Sequence, residues 1–204
     1  GGAIYSSSGT LTLDDCVFDG NVATEGNGGA VWANGGNVTI MGGEFLANNA
    51  ARLGGAVYAT DGRLEVNGGS RFERNEALAG GALFCGSTTD GSATSTILCS
   101  LAETEFMSNR AIYEHEDGEE GAFVFLEGGG AAGFLFTDAT VVDSVFSENY
   151  ARISGGALYG GDLTNVSVNG CTFDNNTSEQ DGGAISASSM RLGGNTLLEN
   201  NSAR

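Results

Sequence analysis

Lysine and proline are absent from this 204-residue sequence, histidine and tryptophan each occur once, and eight arginines face 26 acidic residues for a net charge of −18. The cationic footprint that nucleic acid and anionic membrane surfaces require is missing, which argues against both as partners. No run of 18 apolar residues exists to cross a bilayer as a helix. No 3.6-residue apolar period appears either, and glycine, at 35 residues, is too dense for helices. Apolar residues still make up 40% of the chain, enough to bury a core rather than stay disordered. An initiating methionine and a signal-like start are both lacking, so we expect a piece of a longer array of the same units.

What is present is a repeat. A Gly-Gly-Ala-aliphatic step begins at Gly1, Gly28, Gly54, Gly80, Gly155 and Gly182, with a degenerate copy expected at Glu120. A Phe-x-x-Asn step begins at Phe18, Phe45, Phe72, Phe106, Phe146 and Phe173, with a degenerate copy expected at Leu197. Undisturbed copies recur every 26 or 27 residues, the mark of a solenoid.

Aligned on the Phe, the positions seven and five residues earlier are apolar in most copies, as in Leu11/Leu13, Val38/Ile40 and Val166/Val168, with Leu64/Val66 one residue out of step. That is strand alternation with one buried face. Two residues before the Phe the side chain is short (Cys16, Gly43, Ser70, Thr104, Ser144, Cys171, and Asn195 in the last copy). After Gly-Gly-Ala comes a third short strand in which a large residue (Ile4, Val31, Val57, Leu83, Leu158, Ile185, and Phe123 in the degenerate copy) precedes a mostly small one two positions on. Large then small on one face fills a narrow interior. These patterns predict an all-β fold, a right-handed single-stranded parallel β-helix of about seven coils with three short strands each, spanning residues 1–204 as one domain. The asparagine column (Asn21, Asn48, Asn75, Asn109, Asn149, Asn176, Asn200) reads as a hydrogen-bonded ladder, and the paired glycines as suppliers of turn dihedrals.

In their alternation, the Gly-Gly-Ala-[Ile/Leu/Val] and Phe-x-x-Asn steps resemble the repeats of the chlamydial polymorphic outer membrane proteins, over essentially the whole chain. The resemblance implies a cell-surface or secreted β-helix, like the adhesin passenger domains of that family, with an adhesive or structural role.

The spacing lengthens twice, to 34 residues between Phe72 and Phe106 and to 40 between Phe106 and Phe146. Side insertions at about 86–98 and 114–139 account for this. The first is bounded by Cys85 and Cys99, which either form a disulfide closing the loop or fill inward positions as free thiols. The second carries Glu114, Glu116, Asp117, Glu119 and Glu120 around the single His115. Such a run could gather Ca²⁺, which takes six to eight oxygens, or be a solvated acidic loop. No other cofactor is implied, and one histidine is too few for a zinc site.

The residue after each inward aliphatic is Tyr5, Trp32, Tyr58, Phe84, Val124, Tyr159 or Ser186, which parity places outside. We expect Tyr5, Trp32, Tyr58, Phe84 and Tyr159 to form an exposed aromatic ladder, a contact surface for protein or glycan at a cell surface or in extracellular matrix. The alternatives are that an insertion covers the strip or that the parity is reversed. Among the Asn-x-Ser/Thr sequons, Asn37 is the best glycosylation candidate if the chain passes through a eukaryotic secretory pathway. A catalytic alternative, a polysaccharide lyase or hydrolase, rests on one pair of acids a coil apart, Glu103 and Asp143, with no basic residue in register. The expected role is therefore non-catalytic: an extracellular or cell-surface structural or adhesive segment, flanked by further repeats.

Overall fold

The computed structural model describes residues 1–86, 97–113 and 128–204. Within them the chain is all β, and every strand pairing is parallel. A twelve-stranded sheet and two seven-stranded sheets run side by side, each growing by one repeat at a time. In the second repeat, for example, Val31–Met41 lies in the long sheet, Glu44–Leu46 in the second sheet and Asn49–Ala50 in the third. That two-residue strand beginning after the ladder asparagine is an element the periodicity did not reveal, because two residues cannot display an alternation. Parallel pairing follows from the repeat: each copy returns to the same corner and lies beside the equivalent residues of its neighbours.

Registers confirm the column assignments. Val38 sits beside Leu64 and Leu64 beside Cys99, so Leu64/Val66 is in step in space, the extra residue being absorbed at Gly68–Gly69, both at positive φ. The inward columns form one continuous core. At its centre Phe18, Phe45, Phe72, Phe106, Phe146 and Phe173 stack with ring centroids 4.6 to 4.9 Å apart and planes within 11° of parallel. That separation is the distance between paired strands, so the backbone ladder sets the ring stack.

Only half of the glycine reading holds. The first glycine of each pair has positive φ, between 58° and 76° at Gly28, Gly54, Gly80, Gly129, Gly155 and Gly182. The second needs no such dihedral. A Cβ at Gly29, Gly55, Gly81, Gly130 or Gly156 would lie 2.0 to 2.2 Å from a carbonyl oxygen of the next coil, so contact between coils is what excludes a side chain there.

Three assignments change. The fifth Gly-Gly-Ala step begins at Gly129, not Glu120: Ala132 pairs with Leu83 and Leu158, and Phe134 with Cys85. Strands Ala132–Leu135 and Thr137–Val142 therefore occupy part of the stretch assigned to an insertion at 114–139. In the last repeat Leu198, not Leu197, pairs with Phe173, and Asn201 takes the ladder position expected of Asn200. Thr196, not Asn195, fills the short slot and receives the Cys171 N–H on its hydroxyl. Asn195 has instead been drawn into the turn at positive φ.

Candidate functional site

The ladder asparagines from Asn48 to Asn176 are bonded to both neighbours in the column and to a Phe carbonyl of the adjoining coil. Asn75 donates its backbone N–H and its Nδ2–H to Asn109 Oδ1, both at 3.0 Å, while Asn109 donates Nδ2–H to the Phe72 carbonyl at 2.9 Å and to Asn149 Oδ1 at 3.0 Å. The same pattern runs from Asn21 through Asn48, Asn75, Asn109, Asn149 and Asn176 to Asn201. With Asn48, Asn75, Asn109, Asn149 and Asn176 buried, these amides are part of the scaffold rather than contacts for a partner. Asn200 is exposed and donates to Asp174.

The aromatic row lies outside the core, as parity requires, but it is not an open ladder. Tyr5 packs edge-on against Trp32 with centroids 5.0 Å apart, Trp32 lies 6.2 Å from Tyr58, and Tyr58 lies 6.0 Å from Phe84. Tyr58 and Phe84 are only 3% and 0% exposed, because they pack with Leu53, Ala79 and Leu135 into a second apolar cluster flanked by Trp32 and Phe136. The next residue in the row is Gly133, not Val124. A Cβ there would meet the Phe84 ring at 2.8 Å, so the ring spreads over a position that only glycine leaves open. The expectation of a fully exposed ladder is thus corrected: its middle is a covered outer cluster. Its first residue, Tyr5, is 54% exposed, Trp32 and Tyr159 are half-buried, and Asn34 Nδ2 reaches the Tyr5 hydroxyl at 3.5 Å. The Trp32 indole N–H is buried with no hydrogen-bond partner among the described residues.

Cys85 and Cys99 meet inside the core as unbridged thiols within hydrogen-bonding reach, both buried. Burial pushes the Cys99 thiol well above its usual range, and the hydrogen bond and charge interaction with Cys85 act in the same direction. The folded chain holds this proton more tightly than the unfolded chain. The stability it contributes is complete below the ordinary thiol pKa of about 8.5 and is lost as pH rises toward the folded value. Urea midpoints of the reduced protein should fall between pH 8 and 10, by up to about 1.4 kcal/mol per pH unit from this group. Cys99→Ala should flatten that fall, and so should oxidation of the pair, since a disulfide has no proton to lose.

The calcium candidates Glu114, Glu116, Asp117, Glu119 and Glu120 lie outside the described residues. Among the described residues no cluster of three histidine, cysteine, aspartate or glutamate side chains could hold a metal ion. Glu103 and Asp143 are exposed and sit on turns at positive φ, one coil apart. Asn37 is exposed on the outer face of strand Val31–Met41, immediately after the corner at Gly35 and Gly36, rather than in a free turn. Asn176 is held by the ladder.

The model of the Chlamydia polymorphic membrane protein (Chlamydia_PMP) repeat matches residues 15–34, 143–161 and 170–188. Each matched stretch runs from one Phe-x-x-Asn step into the following Gly-Gly-Ala step, which joins a rung of the Phe stack and the Asn ladder to the close coil contact. No curated protein and no solved structure matches the chain. Over these three stretches, the chain is similar to the Chlamydia polymorphic membrane protein repeat.

Proposed function

We propose that this chain is a non-catalytic segment of a cell-surface or secreted protein, a right-handed parallel β-helix of about seven coils that serves as a stalk and presents an adhesive face. The repeat family supports surface exposure, its printed name being that of a membrane protein. The observation that carries the adhesive reading is the outward aromatic row on either side of the cluster closed at Tyr58 and Phe84, where Trp32, with Tyr5 edge-on against it, and Tyr159 are only half-buried. An amphipathic aromatic edge contiguous with a covered apolar patch suits a protein or glycan partner. The reading needs no cofactor, and it includes a disulfide between Cys85 and Cys99 under oxidising conditions. Flanking repeats of the same polypeptide would stack on the end coils.

The test is a glycan-array and cell-surface binding screen of the wild-type chain beside Tyr5→Ser/Trp32→Ser, with circular dichroism confirming that both fold. Binding that drops at least tenfold in the variant supports the aromatic end as the adhesive face. Equal binding by both proteins would sink it. Tyr58 and Phe84 are left untouched because replacing them would open the buried outer cluster and confuse stability with recognition.

A further inference from the structure

We propose that the outer face of the long sheet between residues 138 and 191 is a second binding site, a groove that takes an oligosaccharide. The site is independent of the aromatic row and uses different residues.

The outward residues of this sheet stand in register. One column reads Thr12, Thr39, Glu65, Ser100, Thr140, Ser167, Arg191, and the column beside it ends Asp138, Asn165. The pairing brings five hydroxyls into one line. Toward its C-terminal end the face is indented by a groove of about 350 Å³, lined on its polar side by Asp138, Thr140, Asn165, Ser167, Ser189 and Arg191.

Three features make this stretch different from an ordinary solvated strand face. The hydroxyls of Thr140 and Ser167 make no hydrogen bond within the described residues, so both can donate and accept outward. Asn165 Nδ2 donates to Asp138 Oδ1 at 2.8 Å, which fixes the two side chains against each other and leaves a carboxylate oxygen and an amide oxygen facing the groove. Arg63, Arg71, Arg74 and Arg110 are each paired with a glutamate, whereas Arg191 has no carboxylate partner among the described residues although the chain carries 26 acidic groups.

The chemistry of the groove selects the ligand. No aromatic side chain lines it, which disfavours an apolar peptide or a lipid. A net charge of −18 disfavours a polyanion. What remains is a ligand offering hydroxyls along its length: donors and acceptors recur about every 4.8 Å across the strands, in two rows about 7 Å apart along them. An extended, neutral or sparsely acidic oligosaccharide laid across the strands meets both rows, with Arg191 placed for a single sugar carboxylate. Lacking an aromatic wall, the site should bind weakly, with a Kd of roughly 1 mM.

The experiment is saturation-transfer NMR of the whole chain against neutral and uronate-containing oligosaccharides. Wild type, Thr140→Val/Ser167→Ala, Arg191→Gln and Tyr5→Ser/Trp32→Ser are compared, and circular dichroism confirms each fold; all the groove substitutions are on outward positions. The expected result is transfer in wild type and in the Tyr5/Trp32 variant, its loss in the Thr140/Ser167 variant, and a selective loss of uronate binding in Arg191→Gln. Transfer to no oligosaccharide, or equal transfer in wild type and the Thr140/Ser167 variant, overturns the groove. Transfer lost only with Tyr5 and Trp32 overturns it as well, while leaving the aromatic end as the adhesive face.

Discussion

Gly55→Ala is expected to destabilise the chain by at least about 4 kcal/mol, whereas Gly20→Ala should cost only about 1–2 kcal/mol. The comparison separates two reasons for glycine. Gly20 has a φ of 64° and no atom within 4 Å of where its Cβ would go, so alanine there bears only the left-handed backbone penalty. Gly55 has no such dihedral, but its Cβ would lie 2.0 Å from the Gly81 carbonyl oxygen and 2.6 Å from the backbone of Glu76. Both obstacles are backbone atoms, so no rotamer change relieves the clash. Coil spacing at this corner is held by Gly55 N–H to the Gly80 carbonyl at 3.2 Å and Ala56 N–H to the Ala82 carbonyl at 2.8 Å, so separating the coils breaks the ladder. Urea midpoints of the two variants decide the matter. A loss at Gly55 no larger than that at Gly20 would mean the coils can part without cost.

Asn109→Ala should cost about 3–5 kcal/mol, and Asn109→Asp at least as much, against under about 0.5 kcal/mol for Asn200→Ala. Removing the Asn109 amide strips the acceptor from the buried Asn75 N–H and Nδ2–H and the side-chain donor from the Phe72 carbonyl. At about 1–3 kcal/mol for each buried group left unmet, two or three such groups give the range. Aspartate matches the shape but has no N–H, so it faces the Phe72 carbonyl and Asn149 Oδ1 with acceptor against acceptor. Thermal unfolding with amide hydrogen exchange checks this: protection should fall first at Asn75 and Asn109, within one rung of the change. Uniform loss along the chain, or an Asn109→Ala variant as stable as Asn200→Ala, would rule out the ladder as a source of stability.

Much of the scaffold was legible because it depends on side-chain parity. Phe45, Phe72 and Phe106, and Val38 or Val166 ahead of them, announce their faces by alternation, and the pairings place them as read. Errors arose where a turn changed length. In the last repeat the corner between Ala187 and Met190 is shorter than that between Gly160 and Val166, while the turn between Leu192 and Leu198 carries one residue more, at Gly193 to Thr196. Counting the usual five residues on from Leu192 therefore lands on Leu197 and Asn200 instead of Leu198 and Asn201. The fifth glycine step carried a usable signal: Gly129 lies 26 residues before Gly155, the undisturbed interval, whereas Glu120 does not.

By itself the sequence determined the repeat, the inward columns and the Asn ladder, because each follows from residue type at a fixed interval. Only the tertiary structure decided which outward residues meet water. Tyr58 and Phe84 have the same parity as Tyr5, yet they are buried because Leu53 and Ala79, at the corners that lead into their strands, and Leu135 of a later coil pack with them. The groove at Thr140, Ser167 and Arg191 is likewise a property of register between coils, set by corner lengths that no single repeat encodes. Parity is local to one strand, whereas exposure depends on what neighbouring coils lay across it.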